Sequence, residues 1–78
     1  MTMRRHSVRI AGHATSVSIE DGFWEEIKRA ARADGISTAR LIENIDRART
    51  MATRAGTKPP NLSSALRLYI LERLKAGR

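Results

Sequence analysis

Residues 15–45 read TSVSIEDGFWEEIKRAARADGISTARLIENI, and a change of period inside this stretch decides the fold. Thr15, Val17 and Ile19 alternate with Ser16 and Ser18, the two-residue repeat of a strand with one covered face. From Glu20 and Asp21 onward the period changes. Phe23, Ile27 and Ala30 or Ala31 return at helical spacing, acids suit the first turn, and Ser18 or Glu20 is in place to cap it. Gly35 then supplies the residue that best tolerates a left-handed backbone at a helix end, and Ile36 follows as its apolar closure. Ser37 caps a second helix in which Leu41, Ile42, Ile45 and Ala48 share one face, and which runs to Ala55 before Gly56. The expected segments are a first helix over 20–34 and a second over 37–55.

Upstream, His6, Val8 and Ile10 alternate with Arg5, Ser7 and Arg9, so period two appears twice. A two-residue Gly12-His13 loop of type II′ joins the runs into a hairpin over residues 4–19. That register sets Ile10 opposite Thr15, Arg9 opposite Ser16, Val8 opposite Val17, Ser7 opposite Ser18 and His6 opposite Ile19. Apolar residues then share one face, and arginines and serines the other. A disordered basic arm before a single strand is the alternative for residues 4–10. Trp24, beside Phe23, reads as a half-buried packing residue. Downstream, residues 57–60 (TKPP) form a rigid turn, and Asn61 or Ser63 caps a third helix over 61–76. Its stripe contains Leu62, Ala65, Leu66, Tyr69, Ile70, Arg73 and Leu74, widened by Leu68 and Leu71. So wide a face on a short helix requires cover.

The chain has 78 residues, no cysteine and a formal net charge of +7. That length holds one domain, spanning 1–78, whose single core contributes only about 3–5 kcal/mol, so a partner copy is expected. Lack of cysteine excludes a thiol nucleophile and a cysteine-based zinc site, and no apolar run approaches the roughly 20 residues that span a bilayer. The sequence reads as a soluble, cytoplasmic protein. Charge is uneven: residues 1–19 carry +3, residues 20–35 carry −2 and residues 57–78 carry +4. Basic ends suit a polyanion, because neutralising phosphates releases counterions.

The strand SVSIED (16–21) and the turn and cap GISTARLI (35–42) resemble the ribbon-helix-helix DNA-binding family over residues 14–46. The longer pattern, RRHSVRIAGHATSVSIEDGFW (4–24) with NLSSALRLYILE (61–72), is similar to small bacterial members of that family. The resemblance implies a mainly α fold with a short β ribbon, an intertwined homodimer whose strands pair antiparallel, and a ribbon that enters the major groove of double-stranded DNA. Here it carries an additional N-terminal strand and a third C-terminal helix. Base-reading positions fall by resemblance on Ala14, Ser16 and Ser18, where this chain lacks the long donors such positions usually hold. Arg9 is therefore the candidate for a base edge or a phosphate, and Arg4 and Arg5 are candidates for phosphates. Ser37 and Thr38 fall where the family clamps a phosphate on backbone N–H groups, with Arg40 on the same turn. Val8, Val17, Ile19, Leu41, Ile42 and Ile45 are the expected dimer interface, because one copy covers its strand only partly and leaves its edge open.

Other chemistry finds little support. His6 and His13 lack a third ligand, so no metal site is expected, and no cofactor. Glu25 with Glu26 and Glu43 with Asp46 read as solvated helix faces near basic residues, and Ser63-Ser64 as a cap. No enzyme is expected. The reading is a DNA-binding transcriptional regulator acting as a repressor, with two alternatives: an antitoxin-like protein holding a toxin on residues 57–78, or a protein-interaction adaptor working through the last helix.

Overall fold

The structure, a computed structural model, describes residues 2–51 and 61–77. Strands β1 (Met3–Ile10) and β2 (His13–Glu20) form an antiparallel hairpin, followed by helices α1 (Asp21–Ala33), α2 (Thr38–Met51) and α3 (Leu62–Ala76). The first run is thus a strand and not an arm. The expected end of the second helix at 52–55 and the proline turn at 57–60 lie outside the described residues.

The hairpin differs from expectation in its turn. Its loop is Ala11-Gly12, with φ of +50° and +80°, as a type I′ turn requires at both central positions. Ile10 faces His13, Val8 faces Thr15, His6 faces Val17 and Arg4 faces Ile19. The register is therefore two residues away from the expected one. Because the shift is even, every side chain keeps its face. One cause is tertiary: the Ala11 N–H donates to Glu43 Oε2 on α2 at 2.7 Å, pinning the hairpin tip. The glycine then takes the second turn position and Ala11 accepts the first.

The inward face of the ribbon closes the core. Ile10, Val17 and Ile19 pack with Ile27, Ala30 and Ala31 of α1, Leu41, Ile42 and Ile45 of α2, and Leu66 and Ile70 of α3. Ile19, Ile27, Ile42 and Leu66 have no solvent exposure at all. Trp24 is half-buried as expected, and its indole stacks on the His6 ring with centroids 3.9 Å apart and planes 9° from parallel. His6 Nε2 is enclosed there without a hydrogen-bond partner.

Helix ends follow the sequence signals closely. Beyond α1, Ile36 N–H donates to the Ala31 carbonyl (3.0 Å) and Gly35 N–H to that of Arg32 (3.1 Å), a Schellman closure made possible by Gly35 at φ +70°. Glu20 is the first cap in backbone terms, yet its carboxylate makes no cap bond. Asn61 caps α3, its side chain accepting from the Ser64 N–H at 2.8 Å. Ser63 instead donates its hydroxyl to the Ser18 carbonyl at 2.7 Å, joining α3 to β2. Ala48 and Leu74, expected on buried faces, are exposed.

Candidate nucleic-acid interface

The outward face of the ribbon carries Met3, Arg5, Ser7 and Arg9 from β1 and Ala14, Ser16 and Ser18 from β2, all exposed. Across the hairpin Arg9 lies beside Ala14, Ser7 beside Ser16 and Arg5 beside Ser18. The expected neighbour of Arg9, Ser16, is corrected by the two-residue shift. Four residues of strand separate the two arginines by roughly 13 Å. Glu20, the acid at the end of the ribbon, is held by Arg67 Nε at 2.8 Å. That bond, helped by a backbone hydrogen bond at Glu20 itself, keeps the Glu20 carboxyl below the usual carboxylate range.

Arg4 has the opposite parity and a different fate. Its Nε lies 3.2 Å from Asp21 Oδ1 in the first turn of α1, so this guanidinium is committed within the chain. Lys28, Arg29, Arg47, Arg49, Arg67 and Arg73 are likewise paired with acids. Among the described residues the cations without an acidic partner are Arg5, Arg9, Arg32, Arg40 and Lys75. Two of these stand on the ribbon face, and Arg32 and Arg40 flank the turn between α1 and α2. Arg32 was not singled out by sequence; its signal was a last-turn cation with no acid three or four residues away.

At that turn Ser37 Oγ accepts from the Arg40 N–H at 3.0 Å, and the Ser37 carbonyl accepts from Leu41 at 3.0 Å. The Thr38 and Ala39 N–H groups therefore have no acceptor within the helix, and the positive end of the helix dipole is added to the nearby arginines. The side chains expected at a dimer interface lie on the inward face of the ribbon and on α2. Val17, Ile19, Leu41, Ile42 and Ile45 are already buried within one chain, and Val8 is half-buried. Among the described residues no group of three or more His, Asp or Glu side chains could hold a metal ion, and no helix is long and apolar enough to cross a membrane.

A family model described as a ribbon-helix-helix domain matches residues 3–74. The chain belongs to the ribbon-helix-helix family. As a class these proteins are DNA-binding regulators that act as dimers and are not typically enzymes. The fold, two antiparallel strands followed by helices and extended by a third, agrees with that membership. A solved structure with a similar fold is an uncharacterized protein from Bordetella pertussis Tohama I, 30% identical with a TM-score of 0.71. The match covers 97% of this chain and 60% of that protein. No curated protein matches the chain.

Proposed function

We propose that this ribbon-helix-helix protein is a transcriptional repressor that binds duplex DNA as a homodimer, with the outward ribbon face in the major groove. One observation carries the reading: Arg5 and Arg9 stand unpaired on an exposed β face whose other polar groups are serines and, at its end, a Glu20 already bound to Arg67. A paired arginine shares its charge and some of its donors with an acid, which weakens its pull on a phosphate or base, whereas these two are unshared. Arginine also offers the two-pronged donor that fits a guanine edge, which Ser16, Ser18 and Ala14 lack. Base readout is thus assigned to β1, phosphate contact to the α2 start at Ser37, Thr38 and Arg40, and a lesser role to Arg4. Work on DNA in a bacterial cell implies a cytoplasmic site of action.

The test is fluorescence anisotropy of the protein on its own upstream region and on random duplex, across a salt series. Wild-type binding should weaken steeply with salt and favour the upstream fragment. Replacing an arginine that neutralises one phosphate should flatten the logarithmic salt slope by about 0.9, and Arg9→Ala should also erase the preference. Ser37→Ala should weaken binding alike on all sequences. Salt-independent binding without preference would remove the proposal. The adaptor alternative draws on the exposed Leu68, Leu71 and Leu74 of α3. The antitoxin alternative loses ground, because a tail that orders on its partner does not already contribute Leu66 and Ile70 to the core.

A further inference from the structure

We infer that Glu43 of α2 is a positioning residue for base readout: its carboxylate fixes the tip of the ribbon, and with it Arg9, at a set distance from the phosphate-contacting start of α2. The inference rests on the proposed DNA-binding function and names how its two contact points are kept in step. By sequence Glu43 reads as part of a solvated helix face, but its side chain is only 24% exposed. Oε2 accepts from the Ala11 N–H at 2.7 Å, and Oε1 lies 3.4 Å from Arg47 Nη2, one turn further along the helix. The two oxygens thus serve different elements. A backbone N–H that donates to a carboxylate makes one of the stronger hydrogen bonds, and this one joins the hairpin to a helix across 32 positions of the chain.

The consequence follows from where the two ends of the ribbon are held. At the open end α1 and α3 hold it: the Asp21 N–H donates to the Thr2 carbonyl at 2.8 Å, Arg4 meets Asp21, Ser63 donates to the Ser18 carbonyl and Arg67 holds Glu20. Each strand is eight residues long, about 25 Å, so the tip lies far from those anchors. A tilt of about 5° about the open end would displace the tip by about 2 Å, more than a hydrogen bond to a base edge tolerates. Ile10 is buried at the tip, but apolar packing is non-directional. The bond from Ala11 to Glu43 adds the direction. Arg9 stands two residues before Ala11 on the outward face, whereas Arg5 is four residues nearer the open end. Glu43 in turn lies six residues after Ser37, the cap of the same helix, roughly 9 Å along its axis. One rigid helix therefore carries both the phosphate contact at its start and the hold on the ribbon tip. A site supported in this way keeps its contact groups preorganised.

The experiment compares the full chain with Glu43→Gln, Glu43→Asp and Glu43→Ala by fluorescence anisotropy on the upstream fragment and on random duplex, at one salt concentration, with circular dichroism reporting the fold. Gln keeps the length and an acceptor oxygen but loses the charge. Asp keeps the charge but is one methylene short of Ala11. The expected result is that Asp and Ala lower the preference for the upstream fragment by about fivefold or more, the worth of a good base contact, while Gln retains it. Affinity for random duplex, which rests on phosphate contacts, should stay within about twofold of wild type in all three. A variant that merely loosened the fold would weaken binding to both duplexes, and parallel losses of that kind overturn the inference. A preference that Gln loses, or that Asp and Ala keep, overturns it as well and leaves DNA binding standing. A wild-type chain without any preference removes the DNA reading itself, and the role of Glu43 with it. If Asp or Ala misfolds, Glu43→Met replaces it, being of similar length without an acceptor oxygen: loss of preference supports the inference, and a retained preference overturns it.

Discussion

Leu66→Ala is the substitution that decides whether the third helix belongs to the domain or is a tail awaiting a partner. Leu66 has no solvent exposure, and together with Ile70 it places α3 in the core formed by the ribbon and the first two helices. Truncating a fully buried leucine costs about 2–5 kcal/mol, the transfer energy of the removed atoms plus the cavity left behind. A domain of this length has a total stability of roughly 4–12 kcal/mol, so the variant stands near the limit of folding. With a urea dependence of about 1 kcal/mol/M for so small a chain, the unfolding midpoint should fall by about 2 M or more. Leu68, two residues on and 54% exposed, provides the control. Leu68→Ala should stay within about 0.5 kcal/mol of wild type. Both are measured by urea unfolding monitored by circular dichroism, at one protein concentration because dimerisation adds to apparent stability. A midpoint shift of less than about 0.5 M for Leu66→Ala, or equal shifts for the two leucines, would refute α3 as part of the core.

Ala11→Asn should raise stability by about 0.5–1 kcal/mol, because Asn tolerates the left-handed conformation in which Ala11 is strained at φ +50°; an unchanged or lower melting temperature counts against the type I′ turn. Gly35→Ala should cost about 1 kcal/mol although nothing lies within 4 Å of the added Cβ, since the penalty is confined to the backbone at φ +70°, and denaturant unfolding measures it. Glu20 has a lowered folded-state pKa, so its bond to Arg67 stabilises the fold above the ordinary carboxyl value of about 4.5 and is lost as pH falls through the folded value. Glu20→Gln should therefore flatten the acid limb of a stability-versus-pH profile, leaving its neutral limb parallel to wild type.

Much of this architecture was legible because it is local. Alternation at 5–10 and 15–19 assigned each side chain to a face, and those faces survived a two-residue error in register because the strand repeat is itself two. The segments of the first and third helices, the closure at Gly35 and the Ser37 cap were likewise read from spacing and side-chain chemistry. The candidate interface was only half legible. Arg5 and Arg9 were named, but so was Arg4, and Arg32 was not.

What the sequence by itself determined about this protein is periodicity, faces, helix ends and charge balance, each a property of residues within about one turn of their neighbours. Tertiary structure alone decided which two residues make the hairpin turn, since the Ala11 N–H is held by Glu43, 32 positions away. It also decided that Arg4 is tied to Asp21 while Arg5 and Arg9 are not, and that Glu20 serves Arg67 and not its own helix. On α3 it separated buried Leu66 from exposed Leu68, Leu71 and Leu74, which composition treats alike. The physical reason is the same each time. Hydrogen bonds and burial between segments distant in the chain depend on how the helices sit against the ribbon, and no local spacing encodes that arrangement.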